Sequence, residues 1–243
     1  NENTRVIDGS TAHRVADDWA YGIPEISQQQ REIIRKARRV SVPGCHATGF
    51  VITVRPLVEQ GIIPVDYPMT FHSVTGYSGG GKKLISTYES ESHQALEAPR
   101  HYALGLDHKH LPEMTKHTGL KNKPLFTPIV SNFYKGMVVS IPLHTRLMNK
   151  YKSTEALQSF LAEYYQNEFF VKVMPLESEE HLYQGAFKIT DVNNSNNIEI
   201  FIHGNNDQIL IMTRLDNLGK GASGAAVQNM NVMIGVSETK GLV

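Results

Sequence analysis

The sequence predicts an α+β core with helices at both ends, and three observations carry that expectation. Segments in which apolar and polar residues alternate with period two mark strands in the middle and the second half of the chain. Stretches with apolar residues at helical spacing lie near both ends and between the strands. Breaks centred on glycine and proline separate the two kinds of segment. A hydrophobic content of 40% with 20% charged residues is that of a folded chain, and 243 residues suffice for one large domain or two smaller ones.

In chain order, the apolar pair Val6 and Ile7 followed by Asp8, Gly9 and Ser10 reads as a strand and its C-terminal loop. So abrupt an opening, with Asn1 where a methionine normally stands, leads us to expect residues missing from the front. Ser27 with Gln30 three residues on forms a capping box, and Ile33, Ile34 and Ala37 recur at helical spacing, which predicts a helix over 27–39. Pro43-Gly44 breaks the chain, and a helix resumes over 48–59 with Pro56 as a kink or stop. Residues 69–75 alternate as a strand entering the glycine-rich loop 76–81. Further strands are expected at 125–130, 137–143, 169–174, 199–202 and 209–212, the last two flanking a hairpin turn at 204–207. Ser153 caps a helix whose Leu157, Phe160, Leu161, Tyr164 and Tyr165 line one face, a stripe that reads as core packing. After Gly219-Lys220-Gly221 the small residues 222–226 lead into a last helix, whose glycine-rich start lets another backbone or a ligand approach closely.

Composition excludes several classes. Lys and Arg number 24 against 24 Asp and Glu, so no net field attracts nucleic acid or an anionic membrane. The basic cluster Arg31, Arg35, Lys36, Arg38 and Arg39 then reads as a solvated helix face rather than a nucleic-acid patch. One cysteine, Cys45, rules out internal disulfides and multi-cysteine clusters and points to a reducing compartment. With no apolar run near the roughly 20 residues of a membrane span and no signal-peptide layout, we expect a soluble cytoplasmic protein.

Three features can carry chemistry. Cys45 lies in PGCHATG (43–49), between a turn and a helix start, where the helix dipole and free N–H groups would lower a thiol's pKa and hold an oxyanion. A buried, inert thiol is the competing reading. The stretch DHKHLPE (107–113) offers two imidazoles and a carboxylate for acid–base work. His-x-His on a strand would equally suit a metal but lacks a third strong ligand nearby, and with 11 His in the chain a surface pair without a role also stands. GYSGGGKK (76–83) nearly matches a phosphate-binding P-loop, but Lys83 stands where Ser or Thr should ligate magnesium, which leaves a flexible loop near a ligand or an ordinary turn. Together these features suggest covalent thioester chemistry, with a cysteine hydrolase as the rival.

The ordered set RVIDGSTAHR (5–14), YGIPE (21–25), PGCHATG (43–49), SGGGK (78–82), HKHLPEM (108–114), FTPIV (126–130) and GASGAAVQNM (221–230) resembles the N-acetyl-gamma-glutamyl-phosphate reductases of arginine biosynthesis, in their shorter bacterial subtype. The resemblance implies an α/β fold: a partial Rossmann domain plus an α+β catalytic domain like that of glyceraldehyde-phosphate dehydrogenase, with a mixed or antiparallel sheet. It divides the chain into 1–44 (Rossmann), 45–216 (catalytic) and 217–243 (a helix returning to the Rossmann part). It implies Cys45 as nucleophile, His110 as acid and base, His108 as a substrate contact and Glu113 as an orienting group. It also implies Ser78, Gly79, Gly221 and Asn229 on the nicotinamide side of an NADPH site, no metal, an acyl-phosphate substrate and a homodimer or homotetramer. An aspartate-semialdehyde dehydrogenase relative is the runner-up. The family's glycine-rich pyrophosphate turn has no counterpart before 4–8, so either an N-terminus is omitted or the chain is a folded, inactive fragment.

Overall fold

The computed structural model describes residues 4–91, 93–176 and 179–243. The strands are β1 (Val6–Asp8), β2 (Ala20–Tyr21), β3 (Arg39–Ser41), β4 (Thr70–Gly76), β5 (Arg100–His101), β6 (Leu125–Ser131), β7 (Met137–His144), β8 (Val171–Val173), β9 (Leu182–Tyr183), β10 (Ala186–Phe187), β11 (Ile198–Gly204) and β12 (Gln208–Leu215). The helices are α1 (Gln28–Lys36), α2 (Cys45–Glu59), α3 (Gly81–Ser90), α4 (Gln94–Glu97), α5 (Leu111–Thr118), α6 (Thr154–Tyr164) and α7 (Gly224–Ile234).

The described residues form three sheets, of which an antiparallel β9–β10 pair is the smallest. A small parallel sheet has the order β1-β3-β2, and a mixed sheet has the order β5-β6-β4-β7-β12-β11-β8. In the large sheet β4 and β6 run parallel, as do β8 and β11, while the remaining neighbours are antiparallel. The expected hairpin joins β11 and β12. Beside β1 and β3, Ile34, Val40, Val232 and Met233 close a small core that ties α1 to α7. The larger core lies between the mixed sheet and helices α2, α5 and α6, and Tyr21, Ile23 and Ile26 join it from the first part of the chain. None of the helices, among the described residues, is long and apolar enough to cross a membrane.

Several boundaries differ from the sequence expectation for identifiable reasons. The helix expected over 27–39 stops at Lys36; Ala37 is extended, and Arg39 opens β3 because Val40 and Ser41 are buried between β1 and β2. Half of the predicted capping box forms: Ser27 Oγ accepts from Gln30 N at 3.0 Å, but the Gln30 side chain donates to Tyr21 O instead of returning to Ser27. The helix expected from residue 48 begins at Cys45 and continues through Pro56 to Glu59. Pro56 has no N–H for the Ile52 carbonyl, and the Tyr165 hydroxyl donates to that carbonyl at 2.5 Å. The loop expected at 76–81 is helical: a 3-10 turn, Tyr77–Gly80, runs into α3. Gly76 is required there, since a Cβ would lie 2.6–2.7 Å from the backbone of residues 133–135.

Candidate active site

The first turn of α2 projects Cys45 into a cavity of about 940 Å³ that collects segments from the whole chain. Gly44 caps that helix with an extended backbone and no side-chain cap, and its N–H donates to Glu113 Oε2 at 3.2 Å. Glu113 is buried on α5; its Oε1 accepts from Arg14 Nη1 at 2.8 Å and its Oε2 also accepts from Tyr21 OH at 2.8 Å. Arg14 itself donates to the carbonyls of Gly9 and Val42. Glu113, expected as an orienting group, therefore holds the loop that carries Cys45. Burial raises its carboxyl, with Arg14 and the Tyr21 and Gly44 bonds pulling back.

The His-x-His stretch does not lie on a strand. It forms the turn into α5, and His110 N donates to His108 Nδ1 at 3.2 Å. The His110 ring lies over Gly44, where an added Cβ would fall 2.2 Å from Nε2, so only glycine at 44 lets the imidazole reach the helix end that carries Cys45. His110 Nδ1 is buried with no hydrogen-bond partner. His46, the residue after the cysteine, completes a cluster of three imidazoles: ring centroids are 5.4 Å from His46 to His108, 5.5 Å to His110 and 4.7 Å between the latter two. Burial, reinforced by its positive neighbours, drives His46 down to about 3 and His108 to about 4, and drives His110 far down in the same sense. All three are neutral at physiological pH. Among the described residues no group of three His, Cys, Asp or Glu is arranged to hold a metal ion.

The thiol departs from the sequence expectation. Burial pushes Cys45 up to about 11, with the His46 N–H and Arg14 opposing and Glu113 adding to the rise. Loss of water around a thiolate outweighs the helix end, on which the reading of a lowered pKa rested.

The four residues expected on the cofactor side divide. Gly221 packs directly on Cys45: a Cβ there would lie 2.7 Å from Cys45 Cβ. Ser78 and Gly79 line the cavity, and Ser78 Oγ accepts from Asn217 Nδ2 at 2.9 Å, which joins the 77–80 turn to the segment before Gly219. Asn229 is outside the cavity lining; fully buried on α7, it donates to the carbonyls of Gly22 and Ala225, and its Oδ1 has no partner. Among the described residues the cavity is lined by Arg14, Lys83, Arg100 and Lys109 and by no carboxylate, an arrangement that favours anions. Sequence reasoning missed Arg14, Tyr21, His46, Ser73 and Tyr102. Arg14, Tyr21 and His46 stood inside quoted motifs without a role, and nothing in the spacing of Ser73 or Tyr102 singled them out.

Residues 45–217 match the family described as semialdehyde dehydrogenase, dimerisation domain. The whole chain is 46% identical to N-acetyl-gamma-glutamyl-phosphate reductase 2 of Nostoc sp. (strain PCC 7120), covering 78% of that protein. Over 99% of the chain it is 42% identical to the protein of the same name from Pseudomonas putida, covering 77% of it. Among solved structures, aspartate semialdehyde dehydrogenase from Francisella tularensis superposes with a TM-score of 0.68 at 12% identity, over 94% of this chain and 74% of that one. A probable aspartate-semialdehyde dehydrogenase from Pseudomonas aeruginosa gives 0.69 at 13%, over 95% and 72%. At such identities the structures share the fold.

Proposed function

The chain belongs to the N-acetyl-gamma-glutamyl-phosphate reductase family, within the semialdehyde dehydrogenases, and from that premise we propose how its own residues carry the reaction. The activity is the reductive dephosphorylation of N-acetyl-gamma-glutamyl phosphate to the semialdehyde, with Cys45 as nucleophile. The observation that supports this reading most directly is the convergence of Cys45, His110 and Gly221 at one end of a cavity rich in cations.

Cys45 Sγ attacks the acyl carbon, the C–O bond to phosphate breaks, and phosphate leaves with that electron pair, so the acyl group becomes a thioester. The neutral His110 imidazole takes the thiol proton as attack proceeds and returns it to the alkoxide oxygen after reduction; the hemithioacetal then collapses, the C–S bond breaking with its electron pair on Sγ while the hydroxyl proton passes back through His110, so the semialdehyde leaves and the thiol is restored. N–H groups of the first turn of α2 face the developing oxyanion. His108, whose Nδ1 fixes the backbone of His110, contacts the substrate, and Glu113 with Arg14 holds the Gly44–Cys45 turn. The nicotinamide end of NADPH would lie beside Cys45: Gly221, lacking a Cβ, lets its turn pack onto Cys45, and the 77–80 turn borders the same cavity. When bound, NADPH supplies the hydride that reduces the thioester carbon. The cations of the cavity suit both polyanionic ligands. Assembly is a homodimer or homotetramer in the cytoplasm.

The test is NADPH oxidation with the acyl phosphate, together with the reverse, phosphate-dependent oxidation of N-acetylglutamate semialdehyde and of aspartate semialdehyde. Turnover of the acetylated aldehyde and its loss in Cys45→Ser are expected. His110→Asn should slow the chemical step about 100-fold or more while Cys45 still alkylates. Preference for aspartate semialdehyde, or near-normal turnover in Cys45→Ser, overturns the reading.

A further inference from the structure

A hydrogen-bonded chain of three side chains runs from the sealed core to the cavity. Ser73, on β4, has no exposed surface, and its Oγ lies 2.6 Å from His46 Nδ1. On the other side of that imidazole Nε2 lies 2.8 Å from the Tyr102 hydroxyl. Tyr102 follows β5 and lines the same cavity as Cys45. The His46 ring is fixed on its faces and edges by His108, His110 and Phe126.

The direction of this chain follows from counting donors. His46 Nδ1 is the partner of the Ser73 hydroxyl, and a hydroxyl hydrogen without an acceptor in a sealed interior is costly. Ser73 must therefore donate to Nδ1. The imidazole is neutral and carries one hydrogen, which then sits on Nε2 and is donated to the Tyr102 oxygen. The phenol oxygen has become an acceptor, so its own O–H is free to donate into the cavity. Burial and the neighbouring Cys45 push the phenol's ionisation upward, and it keeps that hydrogen at working pH.

We propose that Tyr102, set by Ser73 through His46, donates a hydrogen bond to the carbonyl oxygen of the acyl group on Cys45, as a catalytic residue additional to His110. The bond strengthens as that oxygen gains negative charge during attack and during reduction, and no proton leaves the phenol. His46 and Ser73 are positioning residues: they fix which way the phenol points without touching the substrate.

The proposal rests on the reading that Cys45 carries the acyl group, and the experiments separate the two. Tyr102→Phe should lower kcat about 100-fold, the order expected for one oxyanion donor, with KM within about 3-fold and with the alkylation rate of Cys45 unchanged. Ser73→Ala should lower kcat by a smaller factor in the wild-type background and by nothing further in Tyr102→Phe, because its effect passes through the phenol. Losses that multiply in the double variant overturn the proposal, as does a Tyr102→Phe enzyme with normal kcat. Nitrogen-15 NMR of histidine-labelled protein reads the tautomer without substrate or turnover. The Nε2–H form of His46 is expected, converting to a mixed or Nδ1–H form in Ser73→Ala, and an Nδ1–H form in the wild type reverses the chain and overturns it. A wild-type protein that shows the Nε2–H form yet turns over no acyl phosphate sinks the reading of Cys45 and not the direction of the relay.

Discussion

Cys45 rests as a thiol beside neutral imidazoles, so the site holds no preformed thiolate–imidazolium pair. Its raised pKa fixes the sign of a pH dependence. The thiolate fraction, and with it the rate of alkylation, should climb about tenfold per pH unit and still be rising at pH 10, levelling only near 11. Iodoacetamide kinetics on the free protein check this, and a plateau below pH 8 would contradict the burial argument. At this scale the sequence was informative about identity and silent about environment. It marked Cys45, His108, His110 and Glu113 as residue types able to do chemistry but did not show what Glu113 orients, and the carboxylate holds Gly44, Arg14 and Tyr21. The difference lies in partners that are 69, 99 and 92 positions away along the chain, respectively.

Among the elements, α2 shows how a local rule is met from a distance. Pro56 frees the Ile52 carbonyl, and Tyr165, just past the end of α6, supplies the missing donor, so the helix runs through a residue expected to end or kink it. Tyr165→Phe removes that donor from a buried carbonyl. It should cost about 1–3 kcal/mol in denaturant unfolding while leaving the cavity residues in place, so that turnover per folded molecule is unchanged. A loss below a few tenths of a kcal/mol would mean that the carbonyl finds another donor. The cap of α6 was legible because it is local: Ser153 Oγ accepts from Ala156 N at 3.2 Å, and Leu157 and Leu161 are buried as the stripe requires. The ends of α1 and α2 were not, since burial of Val40 and the carboxylate on Gly44 decide them.

Across the molecule, a buried ion pair ties the early chain to the turn beside Cys45. Lys220 Nζ bonds Glu25 Oε1 and lies 2.5 Å from Gln228 Oε1, and both charged side chains are sealed from solvent. Burial works against ionisation of Glu25, but the charge and hydrogen bond of Lys220, with Gln228, outweigh it and hold the carboxyl below its ordinary 4.5. The sign follows: this contribution to stability is fully present above about 4.5 and is lost as pH falls through the lower folded value. Lys220→Met strands a buried carboxylate and should cost about 3–5 kcal/mol at pH 7. Adding Glu25→Gln should recover most of that loss. Urea unfolding of the two variants measures both, and equal stability of single and double variants would mean that the pair contributes nothing. Since Lys220 precedes Gly221, the same pair steadies the turn that packs on Cys45.

The sequence by itself determined the mixed α and β content, most strand positions, the glycine breaks and the residue types of the site, because these depend on neighbours within a few positions along the chain. Tertiary structure alone decided the strand order β5-β6-β4-β7-β12-β11-β8, the meeting of Gly221 with Cys45, the Ser73–His46–Tyr102 chain and the protonation states of the thiol and the imidazoles. Those depend on which distant segments exclude water from one another, and loss of water is the largest single influence on every ionisable group in the cavity that shifts.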